Sequence, residues 1–270
     1  MKIIRDVNGK TFRMGRRRPV ARCPRLSLKN YLKMSLPAPP ESMGYAAKAE
    51  GALSQMYLND SLGDCVIAGM AHVEGVLTGN VGNPAIFSDG QITALYSAIG
   101  GYVPGDPSTD QGCDEQTALN YWQQKGLLPG ISFSQDKIMG WMSVNPSDST
   151  EVRTALWLFE NLIFGVELPD AWVNPMPSAP GFVWESAGEA DPENGHCFVA
   201  TGYGPSGLQI CTWGMLGSIT NAAVQKYAGA SEGGELYCVI SQDGIAKASQ
   251  KAPNGFDWSQ LMADFDSMRG

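Results

Sequence analysis

The chain is expected to fold as an α+β protein of two lobes, helices first and strands later. Between Cys65 and about Leu128, small and apolar residues recur at helical spacing. Between Leu162 and Ser241 the apolar runs are short and separated by glycine and proline turns, the pattern of strands. With 270 residues at 43% apolar composition, the chain is long enough to bury a sizeable core in one large domain or two lobes.

The elements follow in order. Residues 1–35 form a basic arm with scattered apolar anchors, Val20, Leu26, Leu28, Tyr31 and Leu32, enough to dock but too few to fold alone. Leu36-Pro37-Ala38-Pro39-Pro40 is a stiff extended linker into a body spanning 36–241. A helical lobe of about 60–130 holds three helices: one from Cys65 to Gly75 or Leu77, then Asp89–Ile99 and Glu115–Lys125, with a glycine-rich loop at 100–112. A stranded lobe of about 131–241 begins with a helix capped within Ser147–Glu151 and running through Glu160. Strands are expected at Leu162–Leu168, Cys197–Tyr203, Leu208–Trp213 and Leu236–Ser241, with a helix near Ile219–Tyr227. Residues 169–194 are proline-rich, acidic and without periodicity, and read as an inserted loop. The extension 242–270 ends in an acidic amphipathic helix from Asp257 to Met268.

The net charge of −8 hides an asymmetry. Residues 1–40 hold eleven Lys or Arg against the single acid Asp6; the other 230 residues hold eight bases and twenty-six acids. Such a block docks on the chain's own acidic body, on a protein partner or larger assembly, or on nucleic acid. No aromatic ladder interleaves the basic residues, which argues against the last. No run approaches eighteen apolar residues, so no membrane span is expected, and the polar, basic amino terminus does not read as a secretory signal.

Asn59-Asp60-Ser61-Leu62-Gly63-Asp64-Cys65 reads as a loop delivering a thiol to the first turn of a helix, where the helix dipole favours thiolate. A nucleophile needs a base, and the chain has two histidines. His72 lies seven residues along the same helix, about 10 Å of rise away, too far to share a proton. That leaves His196, 131 positions downstream. Taken singly, Cys65 also reads as a small buried apolar residue, His196 as a core histidine, and Asn59 as a turn or cap. Cys197 and Cys211 do not make a metal site with His196, because neighbours on a strand face opposite ways and no Cys-x-x-Cys is present. Gly202–Gly207 reads as a hairpin turn, since no helix with a lysine follows as a phosphate loop requires.

Four motifs in order resemble those of the papain-like cysteine peptidases, over about Leu36 to Ser241. Asn59 and Gly63 occupy the places, six and two before the nucleophile, where that family has glutamine and glycine. Gln111-Gly112-Cys113-Asp114 with Ala118–Tyr121 is similar to its glycine-cysteine turn and following helix. Gly195–Pro205 is similar to its histidine strand, and Thr212-Trp213-Gly214 to its serine-tryptophan-glycine signature.

The resemblance implies a two-lobed fold, a helical lobe with the nucleophile helix beside an antiparallel β lobe. It also implies a peptidase or thiol acyl-hydrolase acting on peptide or protein substrates. Cys65 would attack as a thiolate paired with protonated His196, and its backbone N–H with the Asn59 amide would hold the oxyanion. Trp213 would shield the site. The asparagine that orients the imidazole in the family is replaced by Cys211, with Thr212 following, and the aromatic after the nucleophile by Val66. These changes leave open an alternative: a catalytically weakened binding or structural protein anchored in a larger assembly through its arm. The family's cysteine partner for Cys113 is Leu62 here, so the thiols are expected to be mostly reduced, as in a cytoplasm or a particle such as a virion assembled in one. The leucine-proline pair at Leu36 sits where the family's mature domain begins, which would make the arm a propeptide shorter than usual. No cofactor is implied.

Overall fold

The computed structural model describes residues 2–19, 26–127 and 137–269. It opens with a hairpin, β1 (Ile3–Arg5) and β2 (Thr11–Arg13), turned by Asp6, whose carboxylate accepts from the backbone N–H groups of Asn8 and Lys10. β3 (Leu26–Ser27), β4 (Met43–Gly44) and α1 (Glu50–Leu53) lead to the helical lobe: α2 (Cys65–Gly79), α3 (Asp89–Gly100) and α4 (Glu115–Lys125). The starts are set by side-chain caps: Ser88 and Gln91 form a capping box on α3, and Asp114 accepts from the Thr117 N–H on α4.

The second lobe runs β5 (Gly140–Ser143), α5 (Ser149–Phe159), β6 (Leu162–Glu167), α6 (Asp170–Val173), β7 (Val183–Trp184), β8 (Gly195–Gly204), β9 (Gly207–Thr212), β10 (Met215–Thr220), α7 (Asn221–Tyr227), β11 (Glu235–Ile240), α8 (Gln242–Lys251) and α9 (Trp258–Arg269). Its sheet has the order β3-β5-β11-β6-β8-β9-β10-β7, with β4 also on β8. Pairing is antiparallel except at β3–β5 and β10–β7.

Strand alternation divides this sheet between two cores. Ile163, Cys197, Val199, Cys211, Tyr237 and Val239 face the helical lobe and pack with Val66, Ile67 and Met70 of α2. Leu162, Phe164, Phe198, Ala200, Ile210 and Cys238 face the other way, onto Ala155, Leu156 and Phe159 of α5 and Leu261 and Phe265 of α9. Both faces of the central strands are covered, which is why β6 and β8 read as continuous apolar runs.

Differences from the sequence expectation are local. β5, β10 and α8 were not expected, and the helix expected to start near Ile219 starts at Asn221 because Ile219 is the buried tail of β10. The inserted loop at 169–194 contains α6 and β7. The arm was expected to end at 35. However, Leu28 and Tyr31 are buried in the β-lobe core, and the Tyr31 hydroxyl donates to Asp264 of α9 at 2.6 Å. Residues 26–35 are therefore packed body. Val20, Cys23 and the expected lobe boundary at 130–131 lie outside the described residues.

Candidate active site

Cys65 is the first residue of α2, which packs against β8. Gly69 permits the approach: a Cβ there would stand 2.8 Å from the Cys197 sulfur. Cys65 is 1% exposed, and the backbones of Cys197, the residue after His196, and of Gly15 approach its thiol and favour the charged form. Burial pushes the thiol up to about 12, partly opposed by these two backbone neighbours.

His196 sits at the start of β8, fully buried. Its Nε2 is 2.7 Å from the Thr212 hydroxyl, and its ring lies 4.2 Å from the Trp213 ring at an interplanar angle of 20°. Nδ1 is buried with no hydrogen-bond partner among the described residues. Trp213 and Gly214 form the two-residue turn between β9 and β10, with φ of 50° and 69°. Left-handed backbone at both positions is what a tight hairpin of this twist needs. For tryptophan it is strained, and the strain falls on the residue stacked over His196. Burial lowers the imidazole to about 3. Burial thus favours a neutral thiol and a neutral imidazole, not the ion pair the resemblance implies.

The other expected site residues separate. Thr212 takes the hydrogen bond to the ring; Cys211 does not. β8–β9 pairing sets Cys211 across from Val199, on the face toward the helical lobe, where its thiol donates to the Leu53 carbonyl at 3.2 Å. Asn59 is buried near the start of α2, but its amide donates to the carbonyls of Arg13 and Leu62 at 3.5 and 3.4 Å. His72 bonds the Gln55 carbonyl and packs on Tyr57, apart from the site. Among the described residues no group of His, Cys, Asp and Glu side chains could hold a metal ion, and Cys65, Cys113, Cys197, Cys211 and Cys238 are all free and buried.

What covers the thiol is the chain's own amino-terminal segment. Cys113 N–H donates to the Gly15 carbonyl at 3.1 Å, Arg16 N–H to the Gly195 carbonyl at 3.1 Å, and Arg17 N–H to the Cys113 carbonyl at 2.9 Å. Arg16 thereby bridges to Cys113 like a short strand between the lobes. Gly15 threads between two other glycines: its Cβ would overlap the Gly63 carbonyl, and a Cβ on Gly112 would overlap the Gly15 carbonyl. Phe12 is buried edge-on against Trp213, ring centroids 5.5 Å apart.

The basic side chains find acids. Arg13 donates to Asp110 at 3.1 Å, and Arg18 reaches both oxygens of Glu167. The Arg16 guanidinium, 1% exposed, lies between Glu115 and Glu235. Burial pulls the Arg16 pKa down, and the two carboxylates more than offset it. Gly15, Asp110, Glu115 and Glu235 carried no sequence signal, since a glycine and three acids are common on any surface.

No protein-family model matches the chain, and no curated protein does. Solved structures do. Xylellain, a cysteine protease from Xylella fastidiosa, superposes with a TM-score of 0.58 at 13% identity, covering 89% of this chain and 98% of that one. The Amb a 11 cysteine protease, a major ragweed pollen allergen, in its proform, superposes with a TM-score of 0.51 at 14% identity, covering 76% of this chain and 66% of that one. At such identities the likeness speaks for the fold. The chain has the papain-like α+β fold of two lobes, as its motifs implied. Among the described residues no helix is long and apolar enough to cross a membrane.

Proposed function

We propose that the chain is a cysteine peptidase, or a related thiol acyl-hydrolase, whose cleft is held shut by its own amino-terminal segment. The observation that carries this reading is the clamp on His196: one ring nitrogen held by Thr212, the ring face covered by Trp213, and Nδ1 left without a partner beside the strand that meets Cys65. Nδ1 is the atom free to take the thiol proton. Sulfur then attacks a peptide carbonyl carbon, and the Cys65 N–H at the positive end of α2 faces the developing oxyanion. The amine leaves with the proton from His196, and water, deprotonated by the same nitrogen, cleaves the thioester. Withdrawal of the segment frees the Asn59 amide from Arg13 and rehydrates both groups, which moves the thiol pKa down and the imidazole pKa up toward the values an ion pair needs.

A second reading keeps the fold and drops the chemistry, making the chain a binding or structural component of a larger assembly. The complete burial and neutral state of both groups favour it. Iodoacetamide labelling separates the two. In the full chain, with the segment loosened by Gly15→Val, Cys65 should label at least tenfold faster than any other thiol, and His196→Ala should abolish the advantage. Labelling of Cys65 that is slow, or indifferent to His196, would favour the structural reading.

A further inference from the structure

The Arg16 guanidinium occupies a pocket built for it. Nε donates to Glu115 Oε2 at 3.1 Å, Nη1 to the Gly233 carbonyl at 2.8 Å, and Nη2 to Glu235 Oε1. The acceptors come from α4, from β11 and from the turn before β11, so they match a planar fork and not a point charge. Glu235 is itself held from behind: its second oxygen accepts from the Tyr237 hydroxyl and from the Gln116 amide, the latter at 2.8 Å. Glu115 is fully buried, and its Oε1 has no partner outside its own residue among the described residues. Gly165 of β6 makes room for that carboxylate, since a Cβ there would overlap it. Burial pushes the Glu115 carboxyl up and the Arg16 cation opposes that shift, so an empty chamber holds its carboxylates ionised only at a cost, or takes up a proton.

This pocket adjoins the thiol, because the backbone of the residue that fills it pairs with Cys113 and Gly195, and the backbone of Gly15, the residue before it, approaches Cys65. We propose that the chamber formed by Glu115, Glu235, Gln116 and Tyr237 is the specificity pocket for substrate, that it selects an arginine side chain, and that Arg16 is a resident occupant standing in for it. The substrate class is then peptides bearing arginine near the reacting bond. This rests on the peptidase reading of the cleft, but binding in the pocket can be measured apart from it. Two positions along, Glu167 grips Arg18 through both oxygens, so a second arginine with one residue between is read as well, at a more exposed place.

The test uses the full chain with Cys65→Ala, so that no turnover intervenes, and Arg16→Ala, which vacates the pocket. Fluorescein-labelled, end-blocked alanine pentapeptides carrying one arginine, lysine or citrulline are titrated by fluorescence anisotropy. The arginine peptide should bind at least tenfold more tightly than the citrulline and lysine peptides, and Glu235→Gln should erase the difference. Arg16→Lys, which keeps the buried charge, serves as a second scaffold should the alanine variant fold poorly; its shorter reach leaves the fork unmatched, so the same preference is expected. Equal affinities, or no binding of any peptide to either scaffold, would overturn the assignment. Arginine preference with His196-independent labelling would remove the enzyme and keep the pocket. The reverse pair of results would remove the pocket and keep the enzyme.

Discussion

Thr212 marks the limit of motif reading at the scale of single residues. Cys65, His196 and Trp213 each stand in a run of residues whose order is distinctive. Which of Cys211 and Thr212 meets the imidazole is not written in the motif, because it depends on which face of a strand each neighbour takes. β8–β9 pairing sends Cys211 toward the helical lobe and Thr212 toward His196, a parity fixed by register and invisible in composition. Asn59 shows a related limit: its identity fits an oxyanion donor, but with the amino-terminal segment in place its amide is spent on the Arg13 and Leu62 carbonyls. Thr212→Val tests the orienting role while keeping side-chain shape. His196-dependent labelling of Cys65, measured in the Gly15→Val chain, should fall by about tenfold to a hundredfold, because the ring loses the bond that sets its orientation. Stability to urea should fall by about 1–3 kcal/mol, the cost of leaving one buried ring nitrogen without its partner. An unaffected rate would show that Trp213 alone holds the ring.

Among the elements, most of the longer helices and the central strands β6, β8, β9 and β11 were readable, and short strands such as β5 were not. α4 matches its expected bounds, since Asp114 and Gly126 punctuate it on either side. β5 has four residues with three buried, so no alternation betrays it, and β10 is broken by Gly217 and Ser218. The amino-terminal segment was legible as charge but not as fit. Its basic residues announced an acidic receptor; that the receptor is the cleft follows from Gly15, a residue with no charge at all. Between Gly63 and Gly112 there is no room for a side chain. Gly15→Val should expel the segment, raising the rate of Cys65 labelling by iodoacetamide at least tenfold while far-ultraviolet circular dichroism stays that of a folded chain. Arg18→Ala is the control. Its side chain is 59% exposed, so its ion pair is worth roughly 0.2–1 kcal/mol and labelling should hardly move. Fast labelling in the control and slow labelling in Gly15→Val would mean that charge, not shape, closes the cleft.

At the scale of the whole molecule, the basic amino-terminal region divides into two parts with different jobs. Residues 2–19 lie on the acidic body, in the proposed reading as a removable plug, held by Arg13, Arg16 and Arg18 on Asp110, Glu115, Glu235 and Glu167 and by Phe12 against Trp213. Residues 26–35 belong to the fold: β3 pairs with β5, Leu28 is completely buried, and Tyr31 stacks on Phe256 and accepts the Asp257 N–H at 2.8 Å. Charge composition merges these parts, because both are rich in Lys and Arg; only burial separates them. Two truncations should therefore behave differently. Removing residues 1–19 exposes Glu115 and Glu235 to water, which relieves most of the penalty of losing Arg16. That chain should unfold cooperatively in urea and label rapidly at Cys65. Removing residues 1–35 also strips two large side chains from the β-lobe core, at about 2–5 kcal/mol each, against a total stability on the order of 5–15 kcal/mol. That chain should lose its cooperative transition, or shift its urea midpoint far below the shorter truncation. Equal midpoints would mean that β3 and Tyr31 contribute nothing to the body, and the boundary between plug and fold would return to residue 35.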